Sequence, residues 1–181
     1  MDADPSMAAR PSPPREGLRA LLHADLVAAQ APLHFGAVLR AWFISPQVQA
    51  VWLYRLSACC ARRRGLGLLS KYFNLRLIHR YGCHISPRAR IGRGLSLPHP
   101  TGIVIGIGVQ VGDDVTIYQG VTLGVRSKGR SEYPRIGDGV TLYAGAVVVG
   151  GVTVGNQAVV GANAVVTDDV PARAPRTPEG R

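Results

Sequence analysis

The chain of 181 residues is poor in cysteine and has no long apolar runs. Its three cysteines, Cys59, Cys60 and Cys83, form no C-x-x-C pair and no plausible disulfide framework. This usage predicts a reducing, cytoplasmic location. No run approaches the ~20 consecutive apolar residues of a membrane-spanning helix. The opening MDADPSMAARPSPPREG also lacks the apolar centre of a secretory signal, so residues 1–16 are predicted to be a disordered tail.

Acidic and aromatic residues are also scarce. Asp and Glu number 11 against 21 Lys and Arg, which gives a formal net charge of +10, and aromatic residues make up 6% of the chain. This charge is typical either of a solvated basic face or of attraction to a polyanion, an anionic membrane surface or a phosphorylated ligand. No nucleic-acid-binding motif accompanies it, and the aromatics are too few for base-stacking platforms. We therefore predict no nucleic-acid partner, and contact with a membrane surface is possible but not specifically indicated.

Residues 17–83 have the pattern of helices. GLRALLHADLVAAQ is amphipathic, and Ser45 followed by Pro46 is a helix-start signal for QVQAVWLYRLSACCARRR, which ends before Gly65. A further helix is predicted over about 67–80, with apolar residues at helical spacing. His23 and His79 lie on these helices, where packing or surface positions are more common than ligand roles. Residues 17–83 therefore form the predicted α-helical N-terminal region.

From residue 85 the apolar pattern has a period of six. Thirteen positions at this spacing, with two breaks, are all Ile, Leu or Val: Ile85, Ile91, Leu97, Ile105, Val111, Ile117, Leu123, Ile136, Leu142, Val148, Val154, Val160 and Val166. A short fixed repeat of this kind indicates a parallel β-solenoid, in which three six-residue sides make one coil of about eighteen residues. An ordinary β-sandwich would instead show a period of two. The predicted fold class is α+β, with a solenoid of about four coils over 84–171.

Two insertions interrupt this period. Two extra residues follow His99, and we assign them to Gly102-Ile103-Val104. A polar excursion over 124–135, GVRSKGRSEYPR, adds seven residues and is a candidate functional loop, with a neutral surface insertion as the alternative. After the last coil, residues 172–181 are predicted to be a C-terminal tail.

His99 is the candidate catalytic residue. It stands two places after the anchor Leu97, and Gln119, Ala144 and Ala162 stand two places after later anchors, so one edge of the solenoid should carry all four. Strand spacing would put His99 about 14–15 Å from Ala162. Small residues beneath a histidine predict a groove with a base at its end, long enough for a pantetheine arm. A neutral imidazole there could take the proton of an attacking alcohol, with backbone N–H groups holding the oxyanion.

The stretch from about Pro46 to Pro171 resembles the serine acetyltransferase branch of the hexapeptide-repeat acyltransferases. The resemblance lies in SPQVQAVWLYRLS, LPHPTGIVIG, VTIYQGVTLG, YPRIGDGVTLYAGAVVVGGVTVG and VGANAVVTDDVP. It implies a left-handed β-helix, a homotrimer or a dimer of trimers, and an acetyl-CoA-dependent O-acetyltransferase without a metal. It also implies that His99 is the general base and that acetyl-CoA lies between subunits, along Gly124, Ala144, Gly145, Gly161 and Ala162.

The sequence departs from the family at the acceptor positions. His84 stands where the family has an aspartate, and Pro98 stands where another aspartate precedes the catalytic histidine. The loop's Arg-His-Pro, which grips the amino acid in the family, reads Glu132-Tyr133-Pro134 here. We therefore assign Glu132, Tyr133 and Arg130 to the acceptor and expect L-serine to be a poorer acceptor than a saccharide or other neutral hydroxyl compound. The closest resemblance is to the enzymes of surface-polysaccharide loci.

Two other functions stay open at this stage. A zinc hydratase on the same solenoid would need three histidines at one subunit interface, and the coils contain only His84 and His99. A non-catalytic assembly or regulatory subunit that binds acetyl-CoA is the main alternative, because both family aspartates are replaced. The group that orients His99 could be a backbone carbonyl, Glu132 or an aspartate of a neighbouring subunit.

Overall fold

A computed structural model describes residues 17–30, 35–127 and 132–173. Both predicted tails lie outside these ranges, apart from Ala172 and Arg173. Four helices come first: α1 (Leu18–Ala28), α2 (Phe35–Ile44), α3 (Pro46–Ala61) and α4 (Gly67–Tyr81). The Ser45 hydroxyl accepts a hydrogen bond from the Val48 N–H (3.4 Å), so the predicted start of α3 is confirmed. His23 and His79 are both exposed, as expected.

Helices α3 and α4 form a hairpin whose close contact depends on two small residues. The Ser57 hydroxyl donates to the Ser70 carbonyl, and the Ser70 hydroxyl donates to the Ser57 carbonyl, both at 2.9 Å. Helix α3 is buried along most of its length, and the Tyr54 hydroxyl donates to the Ala89 carbonyl in the first coil (3.0 Å). This helix therefore covers the open end of the solenoid.

Twelve short strands follow, and every strand pair is parallel. They are β1 (His84–Ile85), β2 (Arg90–Ile91), β3 (Val104–Ile105), β4 (Gln110–Val111), β5 (Thr116–Ile117), β6 (Thr122–Gly124), β7 (Arg135–Ile136), β8 (Thr141–Leu142), β9 (Val147–Val149), β10 (Thr153–Val154), β11 (Val159–Val160) and β12 (Val165–Val166). Sheet A stacks β1-β3-β6-β9-β12, sheet B stacks β2-β4-β7-β10, and sheet C stacks β5-β8-β11. The chain visits the sheets in the order A, B, C in each coil, which confirms the parallel solenoid.

The six-residue period places its apolar positions in the interior. All thirteen anchors are buried, and none is more than 9% exposed. The residue on each strand before the anchor faces outward, as shown by the alternation of exposed or half-buried and buried positions in β1 to β12. Four complete coils and the start of a fifth result, since Val170 still pairs with Val154 of sheet B.

A buried ion pair joins α1 and α3 to the first coil. Arg55 donates to both carboxylate oxygens of Asp25 (2.8 and 3.0 Å) and to the carbonyls of Ile91 and Gly92. Asp25 also accepts the Leu95 N–H at 2.9 Å. Both side chains are no more than 3% exposed. Burial raises the pKa of Asp25, and Arg55 and the backbone N–H groups oppose that shift.

Candidate active site

The corner between sheets C and A, here called the histidine corner, repeats one turn in successive coils. Gly102, Gly120 and Gly145 stack there with φ between 66° and 70°, and Asn163 follows with φ 56°. Glycine adopts this left-handed conformation at no steric cost, and asparagine is among the residues that tolerate it best. The turns are linked by Gly120 N–H to Thr101 O, Gly145 N–H to Gln119 O and Asn163 N–H to Ala144 O, each 2.9 Å.

The expected position of His99 in this column is wrong by two residues. Ser96 pairs with Thr116, an offset of 20, whereas Gly102 stacks on Gly120, an offset of 18. The two inserted residues therefore lie between Leu97 and Gly102 and not at Gly102-Ile103-Val104. Thr101 consequently occupies the position above Gln119, Ala144 and Ala162. His99 itself lies on the inserted segment and projects from the regular wall.

A pair of stacked tyrosines lies beside this inserted histidine. His99 is exposed, and its ring centroid is 6.3 Å from that of Tyr118. Tyr118 in turn stacks on Tyr143, with centroids 5.2 Å apart and planes 18° from parallel. The His99 carbonyl accepts the Thr101 N–H at 2.8 Å, and Pro100 is buried, so the backbone that follows the histidine is held. Across the described ranges of one protomer, the imidazole makes no hydrogen bond.

Four of the five predicted cofactor positions share the histidine corner. Ala144, Gly145, Gly161 and Ala162 follow the sheet C strands β8 and β11, and all four are exposed or half-buried. Gly161 has open space where a Cβ would be. Gly124 is different, because it ends β6 in sheet A and pairs with Val149 at the next corner. A single protomer therefore does not bring all five positions together.

His84 lies on the outer face of sheet A, where it is exposed and pairs in register with Val104. Its N–H donates to the Ile103 carbonyl at 2.7 Å. The two predicted catalytic histidines are therefore near the same end of the solenoid, on either side of one corner. No hydrogen bond joins their side chains in the part of the chain that the structure describes.

The corner between sheets A and B, here called the loop corner, holds a second candidate site. A cavity of about 620 Å³ is lined there by side chains of both charges and by glycine backbone: Gly108, Gln110, Arg126, Glu132, Tyr133, Arg135, Val149, Gly150, Gly151, Val152 and Thr167. Predicted acceptor residues Glu132 and Tyr133 are both present, whereas Arg130 lies outside the described residues. The loop and the histidine thus lie at different corners of one protomer.

Tyr133 has a structural role in addition to lining this cavity. Its half-buried ring packs on Gly106 and Gly108; a Cβ on Gly108 would collide with the ring, and one on Gly106 would contact it tightly. The ring therefore fixes the end of the loop against the second coil. Arg126 and Arg135 complete the charged wall of the cavity. Sequence reasoning did not identify Arg135, although its place just before the anchor Ile136, beside the loop, implies that it faces outward.

The described residues contain no group of three His, Cys, Asp or Glu side chains that could hold a metal ion. The three cysteines are free thiols. Burial raises the pKa of the Cys83 thiol, which packs beneath the histidine corner at zero exposure. Such a thiol behaves as a small core residue.

Among the helices that the structure describes, none is both long and apolar enough to span a bilayer.

Comparisons with known proteins define the class of this fold and site. Residues 133–168 match the family described as Bacterial transferase hexapeptide (six repeats). The structure superimposes on the soybean serine acetyltransferase apoenzyme with a TM-score of 0.75 and 34% identity, over 86% of this chain and 64% of that chain. A serine acetyltransferase in complex with CoA gives a TM-score of 0.72 at 29% identity. The class is therefore an acyltransferase on a left-handed hexapeptide β-helix.

Sequence relatives identify the branch. The serine acetyltransferase of Helicobacter pylori (strain ATCC 700392 / 26695) is 42% identical over 133 residues, which cover 70% of this chain and 74% of that protein. The Mycobacterium tuberculosis enzyme is 44% identical over 130 residues, or 71% of this chain and 56% of its own length. This chain belongs to the serine acetyltransferase family. It spans about two thirds of the length of the solved enzymes it matches.

Proposed function

We propose that the chain transfers an acetyl group from acetyl-CoA to the hydroxyl of a small acceptor, with His99 as the general base. The observation that carries this proposal is the histidine corner, where the exposed His99 lies on the inserted segment, two residues before Thr101, which heads the column of Gln119, Ala144 and Ala162. We infer an open channel along this column, because the third and fourth coils carry only the small side chains of Ala144 and Ala162 there. A thioester carried on an extended arm fits such a channel, and the names of the relatives support the same chemistry.

The reaction needs one proton carrier. The imidazole of His99 takes the proton of the acceptor hydroxyl as the oxygen attacks the thioester carbonyl carbon. The C–S bond then breaks, and the protonated imidazole returns the proton to the departing sulfur. Alignment of the two substrates supplies the rest of the rate, because attack within one complex avoids the entropy cost of a bimolecular encounter. The exposed His99 ring and its fixed backbone suit this role.

The site is completed by a second protomer in this proposal. Sheet A lies between the two corners, and its outward row is His84, Val104, Thr122, Val147 and Val165, of which Val104 and Val165 are 38% and 66% accessible. Three of the five side chains are valines, which suits burial between copies. In a homotrimer with sheet A toward the threefold axis, the histidine corner of one protomer meets the loop corner of the next. Gly124, Arg126 and Glu132 of one protomer would then lie beside His99 of its neighbour. The pairing of two trimers into a larger assembly stays a prediction.

The channel predicts where acetyl-CoA binds. Replacing Ala144 or Ala162 with Trp should fill the column and raise the KM for acetyl-CoA about tenfold or more, since both positions are half-buried or exposed and can accept the ring without unfolding. Steady-state kinetics at a saturating acceptor concentration gives the measurement. Ala172→Trp, at an exposed position after Pro171, is the matched control and should leave KM unchanged. An unchanged KM in both channel variants would place the channel at another corner.

The loop-corner cavity bears on the acceptor. The loop sequence alone predicts that the acceptor is a neutral hydroxyl compound, because Glu132 stands where the family has an arginine. The cavity, however, contains Arg126 and Arg135 beside Glu132. An amino acid carries a carboxylate, which an arginine fork binds well, and an ammonium group, which Glu132 can bind. This composition supports L-serine as the first candidate acceptor. A saccharide is the second candidate, supported by the stacked Tyr118 and Tyr143 rings, which could pack on the C–H face of a sugar.

Acceptor kinetics tests the proposal. Thioester cleavage measured with L-serine should give a kcat/KM above about 10⁴ M⁻¹s⁻¹, the ordinary range for an enzyme's own substrate. L-Serine amide, which lacks the carboxylate, should be at least about tenfold poorer, and Arg126→Met or Arg135→Met should remove that difference. Nucleotide sugars and oligosaccharides form the second arm, where Tyr143→Gly should reduce activity. Tight acetyl-CoA binding without turnover on any acceptor would instead favour the non-catalytic alternative.

Location in the cytoplasm also stays a prediction, in agreement with the three free thiols.

A further inference from the structure

Helix α4 presents an apolar stripe to solvent, on the side away from the apolar residues Phe73 and Leu77 that it packs on the core. Leu68 is 82% exposed, Tyr72 53% and Leu75 51%, whereas the buried residues of this helix are Ser70 and Leu77. At about 100° per residue, Leu68, Tyr72, Leu75 and His79 fall within about 60° of one another. The opposite face packs on α3 through the Ser57–Ser70 pair. A continuous exposed apolar stripe of this size marks an interaction surface.

Cations border this stripe on both sides. Lys71 lies along one edge, Arg76 and Arg80 lie along the other, and all three are exposed. The turn that leads into α4 adds Arg62, Arg63 and Arg64, which are also exposed. From Leu26 to Gly112 the sequence contains eleven Lys and Arg residues and no Asp or Glu. The surface around the stripe therefore has one sign of charge over a long stretch of chain.

We propose that the α4 face, defined by Leu68, Lys71, Tyr72, Leu75, Arg76 and Arg80 together with Arg62–Arg64, docks the protein on an anionic lipid surface. An interfacial helix buries its apolar stripe at the headgroup boundary while flanking cations contact anionic headgroups. Both halves of that pattern are present in α4. A symmetric contact with the α4 face of a second copy would bring like charges together, and a nucleic acid would leave the apolar stripe unused.

The position of α4 in the fold is compatible with catalysis at the surface. Helix α4 contacts β1 in the first coil, at the N-terminal end of the solenoid. Ala144 and Ala162 lie in the third and fourth coils, so the acetyl-CoA channel extends away from the docked end. Docking would thus bring the enzyme to a membrane without covering the channel. This proposal does not depend on the identity of the acceptor.

Vesicle co-sedimentation of the full chain tests the proposal. Vesicles of phosphatidylcholine with a quarter phosphatidylglycerol should bind the protein at least about tenfold more tightly than phosphatidylcholine alone, and added salt should weaken binding. Leu68→Ser/Leu75→Ser should abolish binding, and Lys71→Gln/Arg76→Gln should reduce it about tenfold or more. Controls are Ile107→Ser, a 45% exposed apolar residue on the second coil, and Arg173→Gln, an exposed cation after the last strand. Both should bind like the unmodified chain.

Sedimentation velocity and circular dichroism of the free proteins accompany the assay. The α4 variants should keep the helix content and oligomeric state of the unmodified chain, because the changed side chains are exposed. Two outcomes would overturn the proposal. One is anionic-vesicle binding that persists in the Leu68→Ser/Leu75→Ser variant, which would assign it to another surface. The other is a failure of the unmodified chain to bind anionic vesicles. A smaller assembly of the Leu68→Ser/Leu75→Ser variant would then identify the α4 face as a contact between copies.

Discussion

Replacing His99 with alanine should lower kcat by about 10²–10⁴ while leaving the fold and acetyl-CoA binding intact, which is the usual contribution of a general base. The side chain is exposed and makes no hydrogen bond in the described part of its protomer, so its removal costs little stability. Stopped assays of CoA release at saturating substrates give kcat, and circular dichroism checks the fold. Activity within about threefold of the unmodified enzyme would assign His99 to packing.

Two controls separate chemistry from packing at this corner. His84→Ala should cause a milder loss, because His84 lies on the outer face of sheet A, across the corner from His99, and would act on the acceptor only indirectly. Mixed assemblies give the second control. When His99→Ala protomers are co-refolded with protomers changed at Glu132, about a quarter of the interfaces in a random trimer should combine an intact histidine corner with an intact loop corner. Recovered activity near that level would support a site shared between protomers. If the mixed assemblies recover no activity, the whole site lies in one chain.

Removing one member of the Asp25–Arg55 pair should lower the free energy of unfolding by about 3–5 kcal/mol, because the other charge is left buried without a partner. Asp25→Ala leaves the guanidinium of Arg55 with only the Ile91 and Gly92 carbonyls, and it also orphans the Leu95 N–H. Denaturant unfolding at a fixed protein concentration is the measurement, since assembly makes apparent stability concentration-dependent. The effect should exceed that of any exposed ion pair.

The same pair should show strong coupling. Asp25→Leu/Arg55→Met removes both charges and should be less destabilised than the sum of its single variants, although the freed carbonyls keep it below the unmodified chain. Arg93→Gln is the matched control, because the Arg93–Asp113 pair is 3.4 Å apart and about half exposed. Its cost should stay within about 1 kcal/mol. Equal costs at the buried and exposed sites would mean that the buried pair does not hold the helices to the first coil.

The sequence alone was sufficient for the solenoid, and the reason is its periodicity. Each side of a coil repeats the same requirement, which is an aliphatic residue inside and a turn after it. The same local pattern therefore occurs at thirteen anchor positions, and each occurrence independently indicates a solenoid. The start of α3 was equally local, because Ser45 and Pro46 act within one helical turn. The candidate general base also followed from local sequence, since LPHP holds one histidine between two prolines.

The departures from the period required the tertiary structure. A repeat shows that two residues are inserted but not which turn absorbs them, and only the stacking of Gly102 on Gly120 places His99 on the inserted segment. Tyr133 gave no sign in the sequence that it packs on Gly106 and Gly108, because that contact joins residues more than twenty positions apart. Arg126 and Arg135 stand at opposite ends of the loop in the sequence, and only the folded structure shows that they line one cavity.

Helix α4 shows the same division at the level of one element. Its sequence determined an amphipathic helix with a Leu and Tyr stripe, because spacing along a helix is a local property. Which side of the helix is buried depends on what packs against it, and here the face with Ser70, Phe73 and Leu77 is the one that packs on α3 and the core. The direction of the apolar stripe, and with it the basic surface around Leu68 and Tyr72, was therefore decided by tertiary packing.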